Sequence, residues 1–128
     1  MYKPALIAGC ISGLLAVIIG AFGAHSLKPL VDANYLSIYE KGVAYQFYHT
    51  FALLAVGILY SFFPFKAVAL SNTFFVLGII CFSGSLYAMT LLNIKGISIG
   101  PAGVITPIGG LFFIAGWVSL LMGILKKA

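Results

Sequence analysis

The chain contains no arginine and only two acidic residues, Asp32 and Glu40, against seven lysines in 128 residues. The lysines fall between long apolar stretches and do not gather on one face, as a nucleic-acid surface would require, so no nucleic-acid partner is expected. With both acids in one short segment and no nucleophile beside a base, no catalytic residue is assigned. Cysteine is scarce too. Cys10 and Cys81 both lie inside apolar stretches, where a thiol packs as a small apolar group, and no disulfide framework follows. Two histidines, His25 and His49, do not complete a zinc site, so no metal centre is expected.

What fills the chain is hydrocarbon. Pro4 to Leu27, Gly42 to Phe65, Ala67 to Ile94 and Gly96 to Leu125 carry no formal charge, and each exceeds the ~20 apolar residues that cross a bilayer as a helix. The expected fold class is therefore an all-α membrane protein with four transmembrane helices at about 4–27, 43–64, 68–93 and 102–125, forming one domain over 1–128. Short connections predict an up-down-up-down bundle. Ile7 to Cys10 and Ala21 to Ala24 mimic processing sites. Too few apolar residues precede Cys10, however, and the run before Ala21 is long enough to stay in the bilayer. Lys3, Lys66, Lys126 and Lys127 then face Lys28, Lys41 and Lys95 across the membrane, a bias that places both termini in the cytoplasm of a multi-pass cell-membrane (inner or plasma membrane) protein.

The one long polar connection, Lys28 to Lys41, predicts an amphipathic interfacial helix capped by Asp32 or Asn34, with Tyr35, Leu36, Tyr39 and Val43 at helical spacing. It should run into the second span with a bend near Gly42. Tyr35, Tyr39, Tyr45 and Tyr48 suit a headgroup belt. Pro107 should loosen the first turns of the fourth span, and Gly100, Pro101 and Gly103 read as helix-start features, with no phosphate loop implied.

Small residues line helix faces: Gly9, Gly13 and Gly20 in the first span, Gly78, Cys81, Ser85 and Ala88 in the third with Gly84 beside them, and Gly109, Gly116, Ser119 and Gly123 in the fourth. In lipid, close van der Waals contact along such faces supplies much of the attraction between helices. The polar residues are equally uneven. His25, Gln46, His49, Tyr87, Thr90, Asn93 and Thr106 all fall in the half of the membrane nearer the long connection, and Gln46 and His49, three apart, share a helix face. They form the candidate polar or ligand site. Trp117 reads as a packing residue.

Four blocks carry a resemblance: Gly20-Ala21-Phe22-Gly23-Ala24-His25, Tyr45-Gln46-Phe47-Tyr48-His49, Phe82-Ser83-Gly84-Ser85-Leu86-Tyr87, and Thr106-Pro107-Ile108-Gly109-Gly110 with Ala115-Gly116-Trp117. In this order and spacing, over nearly the whole length, the chain resembles the YwdK/YgdD type of small integral membrane protein, a family without an established reaction. The resemblance implies a four-helix inner-membrane protein and singles out His25, Gln46, His49, Gly84, Tyr87, Pro107, Gly109, Gly110 and Trp117.

Three functions fit these features. The first is a non-enzymatic bundle that packs with copies of itself or with larger membrane partners in the bilayer, motivated by three small-residue faces in four spans. The second is a small transporter or ligand-binding bundle built on His25, Gln46 and His49 and framed by Tyr87 and Thr106. The third is a haem- or quinone-linked redox protein, with one imidazole from each of two helices at similar depth as axial ligands; otherwise no cofactor is expected.

Overall fold

Pro4 sits at the start of the first helix, where its missing N–H is no loss, and Asp32 starts the second by accepting a 2.9 Å hydrogen bond from the Tyr35 N–H. In the computed structural model, which describes residues 1–98 and 101–126, the helices are α1 (Lys3–Phe22), α2 (Ala33–Leu59), α3 (Lys66–Gly78), α4 (Gly84–Ile94) and α5 (Ile105–Leu125). A wider π-helical turn, Gly23–Leu27, extends α1. A second one, Ile79–Ser83, joins α3 to α4 without a break, and a short 3-10 turn, Pro101–Val104, precedes α5. Four helical runs are long and apolar enough to cross a membrane: Lys3–Leu27, Ala33–Leu59, Lys66–Ile94 and Ile105–Leu125. No strand occurs among the described residues. Gly100 and Lys127, which entered the helix-start and topology expectations, lie outside the described residues.

Two helix pairs define the packing. Along the α1–α2 seam, Leu6 meets Gly57, Gly9 meets Leu54, Gly13 meets Thr50 and Gly20 meets Val43. Each step forward in α1 is matched by an equal step backward in α2. The α3–α5 seam behaves the same way: Val68 meets Gly123, Phe75 meets Gly116, Gly78 meets Phe113 and Phe82 meets Gly109. Glycine makes both approaches possible, because a Cβ at Gly109 would stand 2.7 Å from the Phe82 Cα, a backbone atom that cannot rotate away. The core between the pairs holds Ala5, Ala52, Leu53, Val56, Val68, Phe75, Phe113 and Leu120.

The widened turn at Ile79–Ser83 shifts the phase of the long third helix. Before it, Val68, Phe75 and Gly78 face α5; after it, Ser83, Leu86 and Tyr87 face α2 at Gly42. This splits the expected third-span stripe. Gly78 and Ser85 reach α5, but Ala88 is exposed and a Cβ at Gly84 would meet nothing within 4 Å, so no close helix approach depends on Gly84. At Gly42 the missing side chain makes room for the Tyr87 ring, and α2 continues through it as one helix. Pro107 falls in the first turn of α5, where amide hydrogens have no intrahelical acceptor, so it costs no bond there.

Candidate functional site

Ser12 and Thr50 are single hydroxyls in otherwise apolar runs, and the α1–α2 register brings their oxygens to 2.7 Å. One turn along, the Gln46 amide donates to the Ser12 carbonyl at 2.9 Å, and its own oxygen accepts from the Tyr87 hydroxyl at 2.7 Å. Gln46 is 3% exposed. Its primary amide has two donors and one acceptor oxygen, so one residue of α2 ties down both α1 and α4. Below it, Tyr39 lies buried with its hydroxyl on the Ile19 carbonyl at 2.7 Å, its ring against Gly23 and 5.1 Å from the Tyr87 ring. Tyr39 is thus a core residue, contrary to the expected headgroup belt, because Gly23 leaves a slot its ring can fill.

His49 faces the other helix pair. The Trp117 indole nitrogen donates to His49 Nε2 at 3.2 Å, and Nδ1 lies 2.7 Å from the Tyr45 carbonyl. Indole can only donate, so Nε2 must accept and Nδ1 carries the proton: the ring is a neutral imidazole with both nitrogens engaged. It stacks on Phe113 with centroids 3.5 Å apart and planes 8° from parallel, with Phe75 and Trp117 closing around it. Trp117 therefore does more than fill space.

The remaining candidates are dispersed. Thr90 bonds the Tyr35 carbonyl at 3.3 Å and the Leu86 carbonyl at 3.0 Å, and Thr106 pairs with Ser85 at 2.5 Å. Asn93 is half-buried at the end of α4, where its backbone carbonyl accepts from the Gly96 N–H at 2.9 Å. His25 is exposed. In its π turn, Gly23 and Leu27 are the inward positions, so a residue between them points out. Through the α1–α2 register, His25 and His49 sit about eleven residues apart in level, or about 16 Å at 1.5 Å per residue. The structure thus corrects the expected convergence. Gln46 and His49 are both interior but serve different neighbours, and His25 joins neither. The pair that a bis-histidine haem needs is not assembled.

Ser12, Thr50, Tyr39, Ser83 and Trp117 take part in this network although none of them is among the expected site residues. The available signal was their rarity as hydroxyl or indole groups within apolar runs. Every buried polar side chain among the described residues is hydrogen-bonded, and all but Ser71 reach a neighbouring helix. The half-buried Asn72 leaves its Oδ1 without a partner. No group of three potential metal ligands occurs among the described residues.

Four membrane-length helices, joined internally by hydroxyl, amide and aromatic contacts, define a small multi-pass integral membrane protein. Residues 19–110 match the model of a family described as protein of unknown function (DUF423), and the chain belongs to that family. It is 43% identical to a UPF0382 membrane protein of Staphylococcus saprophyticus, over 97% of this chain and 98% of the relative. It is 38% identical to the UPF0382 membrane protein YwdK of Bacillus subtilis, over 97% and 98%. A UPF0382 membrane protein of Haemophilus influenzae is 40% identical over 91% and 90%. No solved structure matches the chain.

Proposed function

We propose that this protein is a non-enzymatic four-span bundle of the cell membrane, acting as a subunit, stabiliser or assembly aid for copies of itself or for larger membrane proteins. The observation that carries this reading is the commitment of its buried polar side chains to bonds between its own helices. An amide and an imidazole fixed at both ends hold a shape and have little left for catalysis, since a general acid or base must be within reach of a proton on substrate. The small-residue faces no longer argue for a partner, because Gly9, Gly13, Gly109, Gly116 and Gly123 are spent on internal seams. What remains for a partner is the outer apolar surface of α1 and α5, at Ile7, Leu14, Leu121 and Met122.

On this reading residues 1–128 are one unit crossing the bilayer up-down-up-down. The Lys28 to Lys41 segment rides at the interface, and both termini sit on the cytoplasmic side, as the lysine bias suggests. Mild-detergent extraction followed by native mass analysis tests it. The expected species is a defined multiple of the 13.6 kDa chain, or a stoichiometric complex with one membrane protein. A strict monomer under conditions that preserve known membrane complexes overturns it.

A further inference from the structure

Two clefts follow one another along the groove between α1 and the α3–α4 helix, each floored by α2. One, of about 290 Å³, is walled by Ala8, Ser12 and Leu15 of α1 and by Val76 and Ile79, with Gln46 on its floor. The other, of about 350 Å³, lies between Ile18 and Phe22 of α1, Tyr39, and Tyr87 and Leu91 of α4. The 2.7 Å bond between Gln46 and Tyr87 joins a residue of the first cleft to one of the second. From Ala8 to Phe22 the two clefts together line about 21 Å of α1. Ile11 and Ile80, at its rim, are 54% and 62% exposed, so it opens sideways to lipid. No charged side chain lines either cleft.

Two features specify what fits. Gln46 donates one amide hydrogen to Ser12 and retains a second, an unspent donor on a side chain 97% buried, where an unmet polar group is costly. Depth is the other. The α1–α2 register sets Lys41 about level with Phe22, and Phe22 lies about 28 Å from Lys3, close to the ~30 Å of a hydrocarbon core. Ser12 falls midway, so the Gln46 amide that bonds its carbonyl sits near the bilayer midplane. Phosphate and ester groups of membrane phospholipids stay at the interface, about 15 Å away. A polar group that meets Gln46 must be small, uncharged and able to accept a hydrogen bond, on a molecule otherwise oily enough to lie along the groove.

We infer that this groove binds an isoprenoid quinone, one ring carbonyl accepting from the Gln46 amide in the first cleft and the hydrocarbon tail lying between α1 and α4 past Tyr87 in the second. This goes beyond the assembly role proposed above and stands whether or not the protein has a partner.

The test uses the full chain in phosphatidylcholine nanodiscs and a decyl-tailed benzoquinone bearing a diazirine at the tail end. Photolabelling is expected in the second cleft, on α1 between Ile18 and Phe22 and on α4 between Tyr87 and Leu91. It should be displaced by excess unlabelled quinone and not by phosphatidylglycerol. Ala8→Leu narrows the first cleft at its wall without removing a hydrogen-bonding side chain, and should cut labelling about tenfold, the effect of ~1.4 kcal/mol. Gln46→Leu should do the same while the tail remains accommodated. Equal labelling of Ile7, Leu14 and Leu121, unmoved by competitor or by Ala8→Leu, means ordinary lipid contact and overturns the inference. Displacement by phosphatidylglycerol assigns the groove to a phospholipid chain, and protection of the groove on dimerisation assigns it to a second copy; either result overturns it.

Discussion

A single methyl group at two adjacent positions separates seam packing from helix propensity. Gly109 and Gly110 share the second turn of α5. At Gly109 an added Cβ would stand 2.7 Å from both the Cα and the Cβ of Phe82; at Gly110 it would meet nothing within 4 Å. Alanine at Gly110 should therefore stabilise by up to the ~1 kcal/mol that separates the two residues in a helix interior. Alanine at Gly109 gains the same propensity but must push α5 off the π turn of its neighbour. Overpacking of a close seam costs about 1–3 kcal/mol, and the obstacle here is backbone, so the upper part of that range applies. The net loss is about 1–2 kcal/mol. Unfolding in dodecyl maltoside by increasing sodium dodecyl sulfate, followed by far-UV circular dichroism, reads the difference. Should Gly109→Ala match wild type while Gly110→Ala behaves as expected, the α3–α5 register is wrong.

Other expectations follow from the polar bonds. A double-mutant cycle of Gln46→Leu and Tyr87→Phe should show a coupling of about 0.6 kcal/mol, and no more than ~1.7 kcal/mol, in the same titration; zero coupling would mean the two side chains do not meet. His49→Phe keeps a ring against Phe113 but removes the acceptor for the indole. Because Trp117 is the only tryptophan, its emission should move to shorter wavelength, at a cost of about 1 kcal/mol in stability. Asp32→Ala deletes the cap of α2 and should cost about 1 kcal/mol, with amide exchange rising at Ala33 to Leu36 and unchanged at Leu53.

The spans were legible because lipid is an undemanding solvent to read: an uncharged run beyond ~20 residues has few alternatives to a crossing helix. The Asp32 cap and the run of α2 into the second span were legible too, while other ends were harder: α2 stops at Leu59, short of the expected 64, and α3 opens at Lys66, ahead of the expected 68. Glycine spacing showed which faces were narrow, but it carries no information on which helix fills them, so Gly9 and Gly109 were marked without Leu54 or Phe82. The same gap explains the site. Three-residue spacing was enough to turn Gln46 and His49 inward, yet their partners depend on level and neighbour, and the two side chains diverge toward Ser12 and Trp117. His25 was grouped with them by depth alone, which carries no information on where a side chain points, and in the turn Gly23–Leu27 it lies exposed between two inward residues.

The other wide turn, Ile79 to Ser83, works as a clutch between two engagements. Upstream, the helix is meshed with α5 through Phe75 and Gly78; downstream, with α2 through Ser83 and Tyr87. A π turn holds about one residue more than an α turn, so excising one of residues 79–81 would let the helix close to regular α geometry with Tyr87 still facing the Gln46 amide. A residue inserted between Ser83 and Tyr87 would instead rotate everything beyond it by roughly 100° and carry Tyr87 away from Gln46 while the first engagement stayed whole. The wide turn is thus the one place in this long helix where a change of length leaves both engagements in mesh.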